Sequence, residues 1–210
     1  MSEGPQRRGN RRDVAAAATR QEILRAARRL FAEHGFASTT INQIATEAGV
    51  AVQTVYSSVG SKAVLVLALN DLIDSESGVG EFAGRIAVAD DAEVVLRSAV
   101  QLTRRINERC GDIVRVLLAA EPSDAAVAAA VRDGMRRHRD GAHSLAERLA
   151  GLGALSSGVG VDQAATSFAV LTSPASWRQL TEDTGWSFDR AEAWMLSSLA
   201  TLLTGMPVTE

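Results

Sequence analysis

Between Thr39 and Lys62 the chain reads TTINQIATEAGVAVQTVYSSVGSK, which leaves room for little except two short helices joined by a sharp turn. Thr40 with Gln43 three residues later is a capping box, and Ile41, Ile44, Ala45 and Ala48 form an apolar stripe behind it. Gly49 can adopt the left-handed conformation that ends such a helix, so the chain is expected to turn at Gly49-Val50-Ala51. The segment from Val52 to Val59 then repeats apolar residues at 52, 55 and 59, which turns Gln53, Thr54, Tyr56 and Ser57 outward. A helix-turn-helix has this form, and the outward face carries side chains suited to base edges and phosphates.

The spaced pattern resembles the DNA-binding segment of the TetR (tetracycline-repressor-type) family. The resemblance rests on Thr39, Thr40, Ile44, Ala45, Ala48, Gly49, Val50, Ala51, Thr54, Val55, Tyr56, Ser61, Lys62 and Leu65. It implies an all-α fold: an N-terminal three-helix helix-turn-helix DNA-binding domain plus a C-terminal helical ligand-binding and dimerisation domain. The expected boundaries are a flexible basic arm over 1–18, the DNA-binding domain over 19–66 and the helical body over 67–210. Two residues depart from the family pattern. Ala51 stands where a serine often caps the recognition helix, at a cost of about 1 kcal/mol. Val59 stands where a phenylalanine is usual, which should loosen the small core there by about 1 kcal/mol.

Side-chain chemistry distributes the expected DNA contacts. Val52, Gln53, Thr54 and Ser57 are assigned to base readout: Gln53 by bidentate pairing with adenine, Thr54 by hydroxyl or methyl contact, Val52 against a thymine methyl. Thr39, Thr40, Tyr56 and Lys62 are assigned to phosphates, Tyr56 because the family resemblance implies it. For Lys62 the expectation is an ammonium acting together with the first amides of the following helix; Tyr56 can pack and bind phosphate at once. Residues 1–70 hold nine basic against five acidic residues, +4, whereas the remainder carries 13 against 20, −7, so the overall −3 conceals a basic module on an acidic body. Ahead of it, Arg7, Arg8, Arg11 and Arg12 either belong to a solvated tail or lie along phosphates or in a minor groove. A second capping box, Thr19 with Glu22, is expected to open the first helix, which Gly35 ends, with Phe31 and Phe36 closing its core.

The body reads as helices over about 62–75, 91–109, 112–120, 123–150, 161–183 and 188–204, with a loop at GLGALSSGVG. The segment 62–75 is apolar on nearly all sides and so should be buried, linking the two domains. The C-terminal pair also resembles the family, in which such helices form a four-helix dimer interface. On that basis Trp194, Met195, Leu199, Leu202 and Met206 are the expected homodimer contacts, with Ala164, Ala165, Ala169 and Ser197 permitting close approach. The resemblance further places Arg104, Arg105, Cys110, Val114, Leu117, Phe168 and Trp177 on helices that enclose an effector pocket. Two uses of the body are open: a small-molecule effector that releases a repressor from a palindromic operator, or a dimeric DNA-binding regulator controlled by a protein partner or by concentration.

Other function classes find no support in the sequence. His138 and His143 lie five apart, about 140° around a helix, which suits no shared metal. Cys110 has no sequence-local base, and no catalytic triad, paired carboxylates or phosphate-cradling loop is visible. The expectations are therefore no enzyme activity, no metal and no cofactor. The partners are double-stranded DNA, a second copy of the chain and an effector of unknown identity, with no membrane. A single cysteine and the absence of a signal peptide or long apolar run suggest the cytoplasm.

Overall fold

The computed structural model describes residues 5–205, with side chains from Asp13 onward, as ten α-helices; Met206 and the side chains of Arg7, Arg8, Arg11 and Arg12 lie outside the described residues. The chain forms two compact units. One holds the residues up to Leu72 together with Arg115–Val131; the other holds Ile73–Val114 and the residues from Arg132 on. The division therefore falls later than the expected 66/67 and is not contiguous in sequence. The segment 115–131 joins the N-terminal unit and brings buried Val116, Leu117, Ala120, Val127 and Val131 to it.

In the first unit, α1 (Pro5–Ser38) begins well before Thr19. The expected Thr19 box is not formed: Thr19 is inside the helix, and its hydroxyl donates to the Ala15 carbonyl at 3.0 Å. Val14 and four alanines precede it. Alanine is the strongest helix former, and Pro5 at the first helical position has no amide to leave unsatisfied, so the helix nucleates upstream of the box. Gly35 interrupts α1 with φ +79°. Ile23, Leu24, Ala26, Ala27 and Phe31 of α1 are buried, as are Ile44 and Ala45 of α2 (Ile41–Glu47) and Val55 of α3 (Val52–Ser58). These three helices pack on one another. α4 (Lys62–Ser77) buries Leu65, Val66, Ala68 and Leu69, as its apolar composition requires, while Val64 stays exposed.

The second unit contains an element with no counterpart among the expected helices, α5 (Val79–Val88), which buries Phe82. α6 runs without a break from Ala92 to Ala120, although Gly111 was expected to end it. A helix-interior glycine costs only about 1 kcal/mol relative to alanine, and burial of Cys110 and Ile113 on either side outweighs that. Its first turn is capped by Asp91, whose carboxylate accepts from the Glu93 and Val94 amides. α7 spans Ala125–Gly151 and α8 Val161–Leu171. The expected 161–183 helix is broken at Ser173-Pro174, because proline supplies no amide to continue it. A short α9 (Pro174–Arg178) and a π-helical turn (Gln179–Asp183) follow, then α10 (Phe188–Thr204). Val95, Leu96, Val100, Leu145, Leu149, Phe168, Trp177, Met195, Leu196, Leu199 and Leu203 form the core of this unit. Among the described residues no single helix is long and apolar enough to cross a membrane.

Candidate nucleic-acid interface and the helical body

The turn between α2 and α3 is built as its sequence dictates. Thr40 Oγ1 accepts from the Gln43 amide at 3.2 Å, and Gln43 Oε1 accepts from the Thr40 amide at 2.8 Å. At the other end Gly49 adopts φ +66°, its amide donates to Thr46 O at 3.1 Å and the Val50 amide to Ala45 O at 2.9 Å. That pair of bonds is a Schellman motif. Ala51 then starts α3 with extended dihedrals and no side-chain cap.

The far end of α3 is closed from α1, where Arg20 donates to the Ser58 carbonyl at 2.8 Å. Beneath the helix Val55 is fully buried and Val59 nearly so. Val52, Gln53, Tyr56 and Ser57 are exposed and Thr54 half-buried, so the side chains expected to read bases share the solvent side of one helix. The Ser57 hydroxyl donates to Thr54 O at 3.2 Å within that face. Tyr56 is 50% exposed.

Two expected phosphate ligands are engaged elsewhere. Thr39 is 1% exposed, and its hydroxyl donates to Gly35 O at 2.9 Å and Leu30 O at 3.1 Å. Lys62 is half-buried. Its ammonium donates to the carbonyls of Phe36 and Thr39, the latter at 2.9 Å, with Ala37 O at 3.4 Å, and lies 4.2 Å from the centre of the Phe36 ring. Burial pushes its pKa below the ordinary lysine value. Of the acceptors, Gly35, Phe36 and Ala37 lie in the last turn of α1, whose carbonyls no helical amide follows, while Leu30 precedes the kink and Thr39 lies in the link to α2. Side chains that sequence spacing places near DNA fill that need instead. Arg20, missed by the sequence reading, serves α3 in the same way, while Arg29 pairs with Glu47 at 2.8 Å.

In the second unit the residues expected around an effector are engaged with other protein groups. Arg104 is held by Glu108, Asp189 and Glu192, and the bonds from Glu108 and Glu192 raise its pKa further above the ordinary arginine value. It thereby forms an ion-pair clasp between α6 and α10. Arg105 lies over the Phe82 ring at 4.6 Å and 3.6 Å from Glu81. Cys110 is fully buried, 3.6 Å from a Glu76 carboxylate oxygen. The Trp177 indole N–H donates to Thr103 Oγ1 at 3.2 Å, its ring stacks on Phe188, and Phe168 lies beside His138. Val114 belongs to this unit, but Leu117 belongs to the first. Among the described residues no buried side-chain nitrogen or oxygen lacks a partner.

On α10, Met195 and Leu199 are fully buried in the core of their own unit, which corrects their placement at a dimer interface. Trp194 and Leu202 point outward, 42% and 53% exposed, with Ser197 and Thr201 between them. Val170 of α8, the helix packed against α10, is 62% exposed. Trp186 meets Trp194 edge to face, with the Arg190 guanidinium over its ring.

Residues 23–69, which hold this helix-turn-helix, match the family model described as bacterial regulatory proteins, tetR family. The N-terminal domain belongs to the tetR family. No curated protein matches the chain. Among solved structures, a transcriptional regulator from Saccharomonospora viridis in complex with choline has TM-score 0.73 at 19% identity, over 89% of this chain and 98% of that one. A TetR-family transcriptional regulator from Syntrophomonas wolfei has TM-score 0.70 at 19% identity, over 92% and 99%. The regulator FadR from Bacillus subtilis in complex with stearoyl-CoA has TM-score 0.68 at 16% identity, over 87% and 98%. The likeness shows that the helical body shares the fold of these proteins, so the chain is all-α, with a tetR-type helix-turn-helix at residues 23–69.

Proposed function

We propose that two copies of this chain bind a palindromic operator and that a small molecule taken up by the helical body releases them. The observation that carries the reading is the outer face of α3, where Val52, Gln53, Tyr56 and Ser57 stand clear of a core sealed by Val55 and Val59. In the major groove such a face offers Gln53 to adenine, Val52 and Thr54 to thymine, Ser57 to either, and the Tyr56 hydroxyl to a phosphate. Thr40, exposed at the start of α2, remains a phosphate ligand in this reading, while Thr39 and Lys62 do not.

Symmetric readout requires a dimer with half-sites roughly 34–36 Å apart. The outward face of α8 and α10, with Val170, Trp194 and Leu202 among small polar residues, is the proposed contact between copies. Uptake of a small molecule is supported by the choline and stearoyl-CoA complexes of proteins with the same fold, and release with repression as the outcome is the consequence proposed from it. The effector acts only through unequal affinity for the DNA-competent and released states. α4, which contributes residues to both units, is the element through which that difference is passed on.

The test is selection of bound duplexes from a random pool, followed by salt titration of the winning site. The expected result is an enriched palindrome whose binding falls steeply with salt. No enrichment, or salt-insensitive binding, overturns the reading.

A further inference from the structure

The geometry points to Lys62 as a positioning residue of the DNA-reading unit, acting on the backbone of α1 and not on phosphate. Beyond the kink at Gly35, the carbonyls of Phe36 and Ala37 belong to the last turn of α1, which no helical amide follows, and the Thr39 carbonyl lies in the link to α2. An ammonium carries three donors on a compact head, and the head of Lys62 meets all three of these oxygens while its charge rests on the Phe36 ring. Phe36 in turn packs on Phe31, whose ring is buried in the core under α1. Lys62 is the first residue of α4, four positions after Ser58 closes α3. The bonds therefore tie the junction of α1 and α2 to the junction of α3 and α4, which brackets the recognition helix from both sides.

α3 has particular need of such a bracket, having no side-chain cap at Ala51 and valine in place of a ring at position 59. Arg20 on the Ser58 carbonyl is the matching tie from α1. The inference rests on α3 being the DNA reader, but the tie itself is testable without DNA.

Lys62 is the sole lysine of the sequence, so ¹⁵N-lysine labelling of the full chain gives one side-chain ammonium signal. In the free protein that signal should be observable through slowed proton exchange, and it should keep its shift when the selected duplex is added. A rapidly exchanging ammonium that becomes protected only on DNA would overturn the inference. Variants supply the second readout. Lys62→Met should speed amide exchange over residues 36–59 and weaken the selected site several-fold while leaving the salt slope unchanged. Lys62→Arg keeps the charge but not the compact head, and should restore neither protection nor affinity. A phosphate contact predicts the opposite pattern: normal exchange, full function with arginine, and a slope reduced by about 1.8 for Lys62→Met in a two-copy complex, at about 0.9 per lost phosphate contact. If no DNA is selected, the function reading fails while the ammonium and amide exchange still decide the tie.

Discussion

Replacing Ala51 with serine should stabilise the chain, because α3 begins on a residue that already has cap geometry but no acceptor. Ala51 has φ −69° and ψ 148°, the extended conformation of an N-cap, and its carbonyl already accepts from the Thr54 amide at 2.8 Å. Its side chain is exposed, so a hydroxyl displaces nothing. A serine Oγ there is within reach of the amides of the first turn. Serine-to-alanine changes at such positions typically cost about 1 kcal/mol, so the reverse change should contribute about that much. For a chain of this size the gain corresponds to a rise in Tm of about 2–4 °C. Thermal and urea denaturation of wild type and Ala51→Ser check it, with a constant urea m-value showing that only stability changed. Were loose seating of α3 to limit DNA affinity, the same variant would bind the selected site up to about fivefold more tightly, the equivalent of 1 kcal/mol. An unchanged or lowered Tm with intact helical content would refute the claim that the start of α3 is uncapped.

Two further substitutions test other parts of the account. Thr39→Val is nearly isosteric and removes the donor that serves Leu30 O and Gly35 O, so it should destabilise by about 1–3 kcal/mol in urea unfolding, whereas a DNA-facing threonine would leave stability unchanged. Trp194→Glu combined with Leu202→Glu places charge on outward positions of α10; the lost Trp186–Trp194 pair should lower monomer stability by about 1–2 kcal/mol with the fold intact, while sedimentation at micromolar concentration shifts from dimer to monomer. Persistence of the dimer would remove this face from the interface.

The parts of the molecule legible in the sequence are those fixed by local chemistry. The Thr40–Gln43 box and the Gly49 stop involve bonds within a few residues, and both formed where the spacing put them. The absent cap at Ala51 was legible for the same reason. Thr19 shows the limit of local signals: an alanine run upstream extended the helix past a valid box. α5 carries a readable signal in Val79, Phe82 and Ile86 at 3-4 spacing, masked by Gly80 and Gly84. The engagement of Lys62 and Thr39 was not legible because their partners are carbonyls in and around the last turn of α1, up to 26 residues away from Lys62, and periodicity carries no trace of such a need. The apolar stripe of α10 likewise told that Met195 and Leu199 are buried, but not that the covering helices come from their own chain. Arg104 shows the same for charge: its carboxylate partners on α10 lie more than 80 residues on.

The central claim is that the outer face of α3 reads DNA sequence, and parallel selections with wild type, Gln53→Ala and Tyr56→Phe test it most directly. Gln53→Ala should enrich a different base at one symmetry-related position of each half-site, while Tyr56→Phe should enrich the wild-type sequence with uniformly weaker binding. If Gln53→Ala returns the wild-type sequence with an equal loss at every base, or if Tyr56→Phe changes which base is chosen, α3 does not read DNA in the way described.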